Sequence, residues 1–393
     1  MNFRNLSSYS NSQRSRRDSQ ISSINDITYA ELSHIESEEE EQIEAPSKNE
    51  IYDYFSNDEE EFYNFTGFTI DEFGELFNLV EVVLSRPLRG RKPKYSIKDQ
   101  FLILLHYLRY YPRLEGLKTI FHLEPSTMEN LLIRNLQAIC PKLVNEFITT
   151  QAQEYEIVAD DDFPSCGYIV DATVQQINQP SLEWEESSKY FSGKHSMYCL
   201  KSQVIVTLKG LAVHVATGYK GSIHDKAIFD ETIDDFYNSV ICFHEGEPDQ
   251  IMADKGYQDG HSQYIISPIK GSYYTLSPED LQYNEKLSKI RIIVENFFGR
   301  LKCRYKIIGS KFRGAHTHYE LIFKTCCALV NFEILSGHPL REEDHSFFMR
   351  HRANIRKMIE DEKNQRKLRI KSQKKKRMKR FQKTYQLEIV SSD

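Results

Sequence analysis

The chain has 393 residues, 51 Lys plus Arg against 57 Asp plus Glu, a formal net charge of −6, 40% hydrophobic and 27% charged residues. That is room for two or three domains with a sizeable core and the composition of an ordinary soluble protein. No window approaches eighteen consecutive apolar residues and the N-terminus is polar and Ser-rich, so neither a transmembrane helix nor a secretory leader is expected.

The seven Cys form an odd set without a CxxC pair. This argues against a disulfide framework and a zinc knuckle and for a reducing compartment.

The small net charge conceals segregation. Residues 30–62 hold thirteen acids and one Lys, whereas Lys363–Lys383 holds twelve Lys or Arg and no acid. Residues 1–62, poor in apolar residues, are expected to be a disordered Ser-rich and acidic head. Residues 341–393 read as a C-terminal helix and basic tail. The tail suits phosphate backbones or nuclear import, or is simply a solvated helix.

Residues 63–150 read as a helical domain. Phe73, Leu76, Phe77, Val80 and Val83 recur at helical spacing within 65–84. The run from Arg86 to Lys94, with Arg89, Arg91, Lys92 and Lys94, is an extended basic arm broken by Pro and Gly. Such an arm can lie in a DNA minor groove, and reads equally well as a solvated linker.

Ser96 then caps a helix through Phe101, Leu104, Leu105 and Leu108 that Pro112 ends. A short helix over 114–121 follows. Glu124 and Pro125 start a third, which Pro141 is expected to stop. The three resemble a helix-turn-helix, with Ser126, Thr127, Glu129, Asn130 and Arg134 on the reading surface. A packing domain without base contacts fits the same pattern.

Residues 165–340 are strand-rich. Gly167–Val174 reads as an apolar strand delivering Asp171. Tyr198–Leu208 and Leu211–Thr217 are two more strands, joined at Lys209-Gly210. A further short strand over 250–253 ends in Asp254, and 264–268 can add a fifth. Leu287–Arg304 is the strongest helix, with Ile290, Ile293, Val294, Phe297, Phe298 and Leu301 as its apolar stripe and Glu295 on its flank, beside Arg291 and Lys302.

Asp171, Asp254 and Glu295 stand 83 and 41 residues apart. Carboxylates on rigid elements suit hard divalent cations and two-metal phosphoryl transfer. Singly, each reads as well as a turn cap or a helix-surface ion pair.

Several segments together resemble the DDE transposases, in the superfamily that joins the bacterial insertion-sequence-5 type and the eukaryotic Harbinger type. They are Ile169-Val170-Asp171-Ala172-Thr173, Tyr190-Phe191-Ser192-Gly193-Lys194-His195, Leu200-Lys201-Ser202-Gln203, Gly221-Ser222-Ile223-His224-Asp225, Ala253-Asp254-Lys255-Gly256-Tyr257 and Leu287 through Lys302. The likeness spans residues 65–335. It implies an α/β fold: a ribonuclease-H-like catalytic core preceded by an all-α, helix-turn-helix-like domain and flanked by disordered tails.

The resemblance also implies that Asp171, Asp254 and Glu295 are catalytic and hold Mg²⁺ or Mn²⁺, two ions in all. Asp225 is a candidate fourth metal ligand, or a cap of the helix after it. Lys194, Lys201, Arg291, Lys302 and Arg304 are candidate phosphate contacts or solvated charges. One departure is Val330, which stands where the family usually carries a histidine.

The activity implied is that of a metal-dependent endonuclease and strand transferase of a cut-and-paste DNA transposon. Phosphodiester hydrolysis would precede transesterification. The partners implied are double-stranded DNA, a Myb-like DNA-binding protein and further copies of the chain, in the nucleus. A host-adopted DNA- or chromatin-binding descendant without transposition is the alternative, and a metal-dependent nuclease outside transposition a third reading.

Overall fold

The computed structural model describes residues 50–85, 93–149, 160–239, 243–244, 247–258, 264–271 and 274–341, with scattered positions between 357 and 372. Arg89, Arg91 and Lys92 of the basic arm lie outside the described residues, as do residues 1–49 and 373–393. The helical positions 367–369 in the C-terminal segment are exposed.

Part of the acidic stretch is helical, against what its composition suggested. Helices α1 (Glu50–Phe55) and α2 (Glu59–Thr66) fall partly within the stretch expected to be disordered. The acids themselves account for α2. Asp58 caps it by accepting from the N–H groups of Glu60 and Glu61, and three Glu fill its first turn. Negative charge is favourable at a helix N-terminus, where the peptide dipoles leave partial positive charge.

Phe62 then buries completely, edge-on to Tyr52 at 5.8 Å and Phe73 at 5.3 Å. The helix foreseen over 65–84 is broken at Gly67, whose φ of +90° ends α2. Helix α3 (Ile70–Leu84) restarts from a capping box between Thr69 and Glu72.

Helices α4 (Ile97–Tyr110), α5 (Leu114–Phe121) and α6 (Pro125–Val144) follow the expected pattern. Ser96 caps α4 through the Asp99 N–H, while the Asp99 carboxylate accepts from Tyr52 N–H at 2.8 Å and ties α1 to α4. Pro141 does not stop α6, which runs on to Val144 and into a π-helical turn at Asn145–Thr149. Ser126, Thr127, Glu129 and Asn130 are exposed at its start. Arg134, a candidate base reader, instead donates to Gln100 Oε1 at 2.7 Å.

The remaining elements build a mixed sheet. Strand β1 (Cys166–Gln176) leads through α7 (Trp184–Ser188) and β2 (Phe191–Ser192) to β3 (Met197–Thr207) and β4 (Ala212–Lys220). Helix α8 (Asp225–Ser239), a small hairpin of β5 (Phe243–His244) and β6 (Glu247–Pro248), and β7 (Gln250–Met252) follow. After β8 (Ile265–Ile266) come α9 (Pro278–Arg304), α10 (Lys306–Gly309) and α11 (Tyr319–Leu335). The sheet order is β4-β3-β1-β7-β8, with β2 also paired to β3. β1 is antiparallel to β3 and parallel to β7, and β8 is parallel to β7.

Alternation of side chains sends the two faces of this sheet into two clusters. Tyr168, Val170, Ile205, Ile251 and Ala253 pack with Phe229, Ile233 and Phe236 of α8. Ile169, Val204, Val206 and Met252 join Val294, Phe297 and Leu301 of α9 and the buried face of α11. The second cluster continues into α3, α4 and α6, so the helical region and the sheet share one core. Phe332 bridges them, 5.8 Å from Phe68 and 5.3 Å from Phe147. Val330 is fully buried there, so this position serves packing.

Asn331 fixes the seam. It accepts from Ala212 N–H at 2.8 Å and donates to the carbonyls of Ala212 and Phe147 at 2.7 and 2.6 Å. A buried amide that satisfies backbone groups leaves them unpaired when it is removed. Asn331→Ala is expected to cost about 2–4 kcal/mol in urea unfolding. A loss below about 1 kcal/mol would show that the seam does not depend on this amide.

Candidate active site

The site begins with a register. Ile169 of β1 pairs with Met252 of β7 in parallel, and two residues beyond each stand Asp171 and Asp254. Parallel strands rise equally per residue, so both acids arrive at the same level, Asp254 just past the end of β7 and Asp171 within β1, which runs on to Gln176.

Asp171 keeps its antiparallel pairing to Val204 and accepts from Ala172 N–H at 2.8 Å. By period two it shares the face of Ile169, the one that α9 covers. Asp254 leaves the sheet and caps the 3-10 turn Lys255–Tyr257, accepting from Lys255 N–H at 2.7 Å.

Helix α9 brings the third acid. It starts at Pro278, earlier than the expected Leu287, from a capping box of Ser277 and Asp280. Leu287, Val294, Phe297, Phe298 and Leu301 bury its inner face, leaving Arg291 and Glu295 on the flank beside the crevice. Arg291 Nη1 stands 3.8 Å from Asp254 Oδ1.

Asp225, the first residue of α8, completes the group. The turn before it is confined: a Cβ on Gly221 would lie 2.4 Å from Tyr190 O and 2.7 Å from Cys199 Sγ, so a side chain there collides. Asp225 is not only a helix-terminal acid. Its Oδ1 takes Lys201 Nζ at 2.9 Å and its Oδ2 faces Lys194 Nζ at 3.6 Å.

These positions set the electrostatics. Burial pushes the Asp171 carboxyl up from 3.8 to about 6; Arg291 and the Ala172 N–H oppose this, while Glu295 and Asp225 add repulsion. Tyr257 is buried beneath the acids and held well above its usual pKa, first by burial and then by Asp171 and Asp225. It stays a neutral phenol that takes a hydrogen bond from Gln203 Nε2 at 3.1 Å. Gln203 and Tyr257 are residues that spacing did not single out as functional. Their signal was present in the segments bearing Lys201 and Asp254.

Other expected phosphate contacts are internal. Lys302 is buried and donates to the Val174 carbonyl at 3.3 Å, bracing β1 against α9. Arg304 Nε donates to the buried Glu333 at 3.0 Å. Lys201 is 5% exposed and committed to Asp225 and the Ile223 carbonyl. Lys94 donates to the Phe121 carbonyl at 3.3 Å. Lys194 and Lys255 remain exposed at the rim.

The donor set is all carboxylate oxygen, which fits a hard divalent cation. Asp171 lies near enough to Glu295 and Asp225 to be repelled by both, an arrangement that a cation would relieve. Among the described residues, however, no three His, Cys, Asp or Glu gather at ligand distances. The six described thiols offer no alternative: five are buried, and those of Cys326 and Cys327 are raised well above their usual pKa by burial.

Comparison with known proteins places this region in a family match. Residues 170–331 match the family described as DDE superfamily endonuclease, a span that holds all four acids. The chain is also 28% identical over 255 residues to a probable transposase for insertion sequence element IS702 of Microchaete diplosiphon, covering 62% of this chain and 83% of that protein. No solved structure matches. Among the described residues no helix is long and apolar enough to cross a membrane.

The raised Asp171 pKa makes a signed prediction. Between 3.8 and about 6 the native state binds the proton better than the unfolded chain. Metal-free stability should therefore fall as pH rises through that window, with the full penalty present above it. Asp171→Asn lacks the charge and should gain on wild type by about 2–3 kcal/mol between about pH 4 and 7 in paired urea titrations. Parallel pH profiles for the two proteins would mean that the carboxylate is not desolvated.

Proposed function

We propose that this chain is a metal-dependent DNA endonuclease and strand transferase of the DDE type, acting at the ends of a mobile DNA element. The observation that carries the reading is the arrival of Asp171 and Asp254 at one level of a parallel strand pair, with Glu295 on the helix covering the same face. The DDE endonuclease match over the same residues supports it. The sheet order supports a ribonuclease-H-like core, with its antiparallel strands on one side of β1 and its parallel strands on the other.

In this reading Asp171, Asp254 and Glu295 hold Mg²⁺ or Mn²⁺, with Asp225 at the border. Two such ions supply activation of the attacking oxygen and stabilisation of the leaving one in an in-line displacement. The protein's part is positional. β1 and β7 keep two carboxylates on a rigid sheet, and α9 sets the third by packing its apolar stripe. Gln203 and the neutral Tyr257 form the floor, adding no charge that would repel a phosphate. Lys194 and Lys255, exposed at the rim, meet the DNA backbone.

The basic segment 363–383 adds a second, sequence-independent hold on DNA, and suits residence in the nucleus. Membership of the Harbinger and insertion-sequence-5 group, self-association and a Myb-like partner belong to the same reading, which rests there on the motifs. The exposed start of α6 carries Glu129 and no free cation at Arg134, which favours a separate protein as the sequence reader.

Cleavage of a labelled DNA end with Mg²⁺ or Mn²⁺ tests the chemistry. Asp171→Ala, Asp254→Ala and Glu295→Ala should each lose at least about a hundredfold in rate, as expected when a group serving the transition state is removed. If all three cut as fast as wild type, the assignment is wrong. An inactive but DNA-binding wild type would favour the host-adopted alternative. Separately, deleting 363–383 should weaken DNA binding and flatten its dependence on salt concentration. An unchanged slope would remove the tail from the interface.

A further inference from the structure

Arg291 does not behave as a surface cation. Its side chain is 13% exposed and its contact to Asp254 is long, at 3.8 Å. Its Nε is buried and without a hydrogen-bond partner. A guanidinium that is paired for stability normally forks onto a carboxylate with two bonds of about 2.8 Å. Here one long contact and an orphaned donor stand in place of that fork. Glu295 lies one helical turn further along the same face of α9.

The guanidinium is therefore held by the field of the surrounding acids more than by directed bonds. The other cations of the site differ: Lys201 grips Asp225 at 2.9 Å and is almost fully buried. Lys201 is a fixed part of the scaffold, while Arg291 has little hydrogen bonding to lose by moving.

Resting on the reading of Asp171, Asp254 and Glu295 as metal ligands, we propose that Arg291 is a resident counter-cation. It occupies the resting acid cluster in place of a divalent cation and must give up Asp254 before the three acids can gather. Its charge offsets the repulsion between Asp171 and Glu295 and stands beside Asp254. This position explains why no three of the acids approach ligand geometry among the described residues. Arg291 is accordingly a positioning residue that sets the affinity and threshold of the site for metal. The desolvated position of Asp171, for which Arg291 is the foremost compensating charge, agrees with this role.

The test is Mn²⁺ binding to the full-length protein by calorimetry, together with the rise in Tm on adding Mn²⁺. Arg291→Gln removes the charge and keeps a planar polar head. Arg291→Met keeps the buried stem and suits a desolvated position. Both are expected to bind Mn²⁺ on the order of tenfold more tightly than wild type, since a like charge has left the site. Both should also show a larger Mn²⁺-induced rise in Tm from a lower metal-free Tm. Arg291→Lys should stay near wild type.

Uncharged variants that bind Mn²⁺ no more tightly than wild type would overturn the counter-cation. So would an Arg291→Lys variant that tightens as much as Arg291→Gln, because shape and not charge would then be responsible. Absence of Mn²⁺ binding in wild type and all variants would instead overturn the metal-dependent reading on which this inference rests. Binding by the uncharged variants alone would support the counter-cation in its strongest form.

Discussion

The arrangement depends on one constraint: acids from separate elements have to be brought to one crevice, with Asp171 desolvated among them. The register between β1 and β7 sets it by placing an acid within β1 and an acid just past β7 at the same height. Ile169 and Met252 bury completely, and that burial holds the acids in place whatever their mutual repulsion. The free energy of the apolar face thus keeps Asp171 in a desolvated place, where burial first, and then repulsion from Glu295 and Asp225, raises its carboxyl.

The molecule uses most of its nearby positive charge internally. Lys201 holds Asp225, Lys302 braces β1, and Arg304 and Arg300 serve the buried Glu333. Each is a long side chain whose stem crosses apolar surface before its head meets a partner. Internal pairing orients the elements that carry the acids, and Lys194 and Lys255 are left exposed. The near-zero net charge is in keeping with this division. Charge is sorted by place, with anions around Asp171, buried cations as struts and an excess of cations in the C-terminal segment.

The helical region is part of the same construction. Phe332 and Asn331 on α11 reach both the sheet and the π-helical turn after α6, and Arg313 donates to the Tyr111 carbonyl at 2.6 Å. Helices α3, α4 and α6 therefore share a core with α9, the helix that carries Glu295. A change in how the helical region sits would be transmitted through that core to the third acid. The two regions, distinct in sequence pattern, are one body in packing terms.

Much of this was legible in the residues. The strand that carries Asp171, the short strand before Asp254, the apolar stripe of α9 and the three helices from Ser96 to Val144 follow from local periodicity, capping and proline placement, which act over a few residues; β1, however, does not end at its acid but runs on to Gln176. The same local rules mislead where long-range burial decides. The acidic stretch around Glu59 looks disordered by composition but becomes a capped helix because Phe62 has a core to enter. Pro141 looks like a stop, yet α6 continues through it because packing against α11 outweighs one lost hydrogen bond.

The fate of each charge could not be read at all. In sequence Lys201, Lys302 and Arg304 are candidate phosphate contacts or solvated charges, and in the fold each meets an internal partner, since whether a cation is free depends on which anion or carbonyl the fold brings within about 3–4 Å. By itself the sequence determined which residues could carry the chemistry. The tertiary structure decided which of them meet and which are already spoken for. Side-chain type and strand periodicity are local properties, whereas desolvation and charge pairing are set by residues up to more than a hundred positions away.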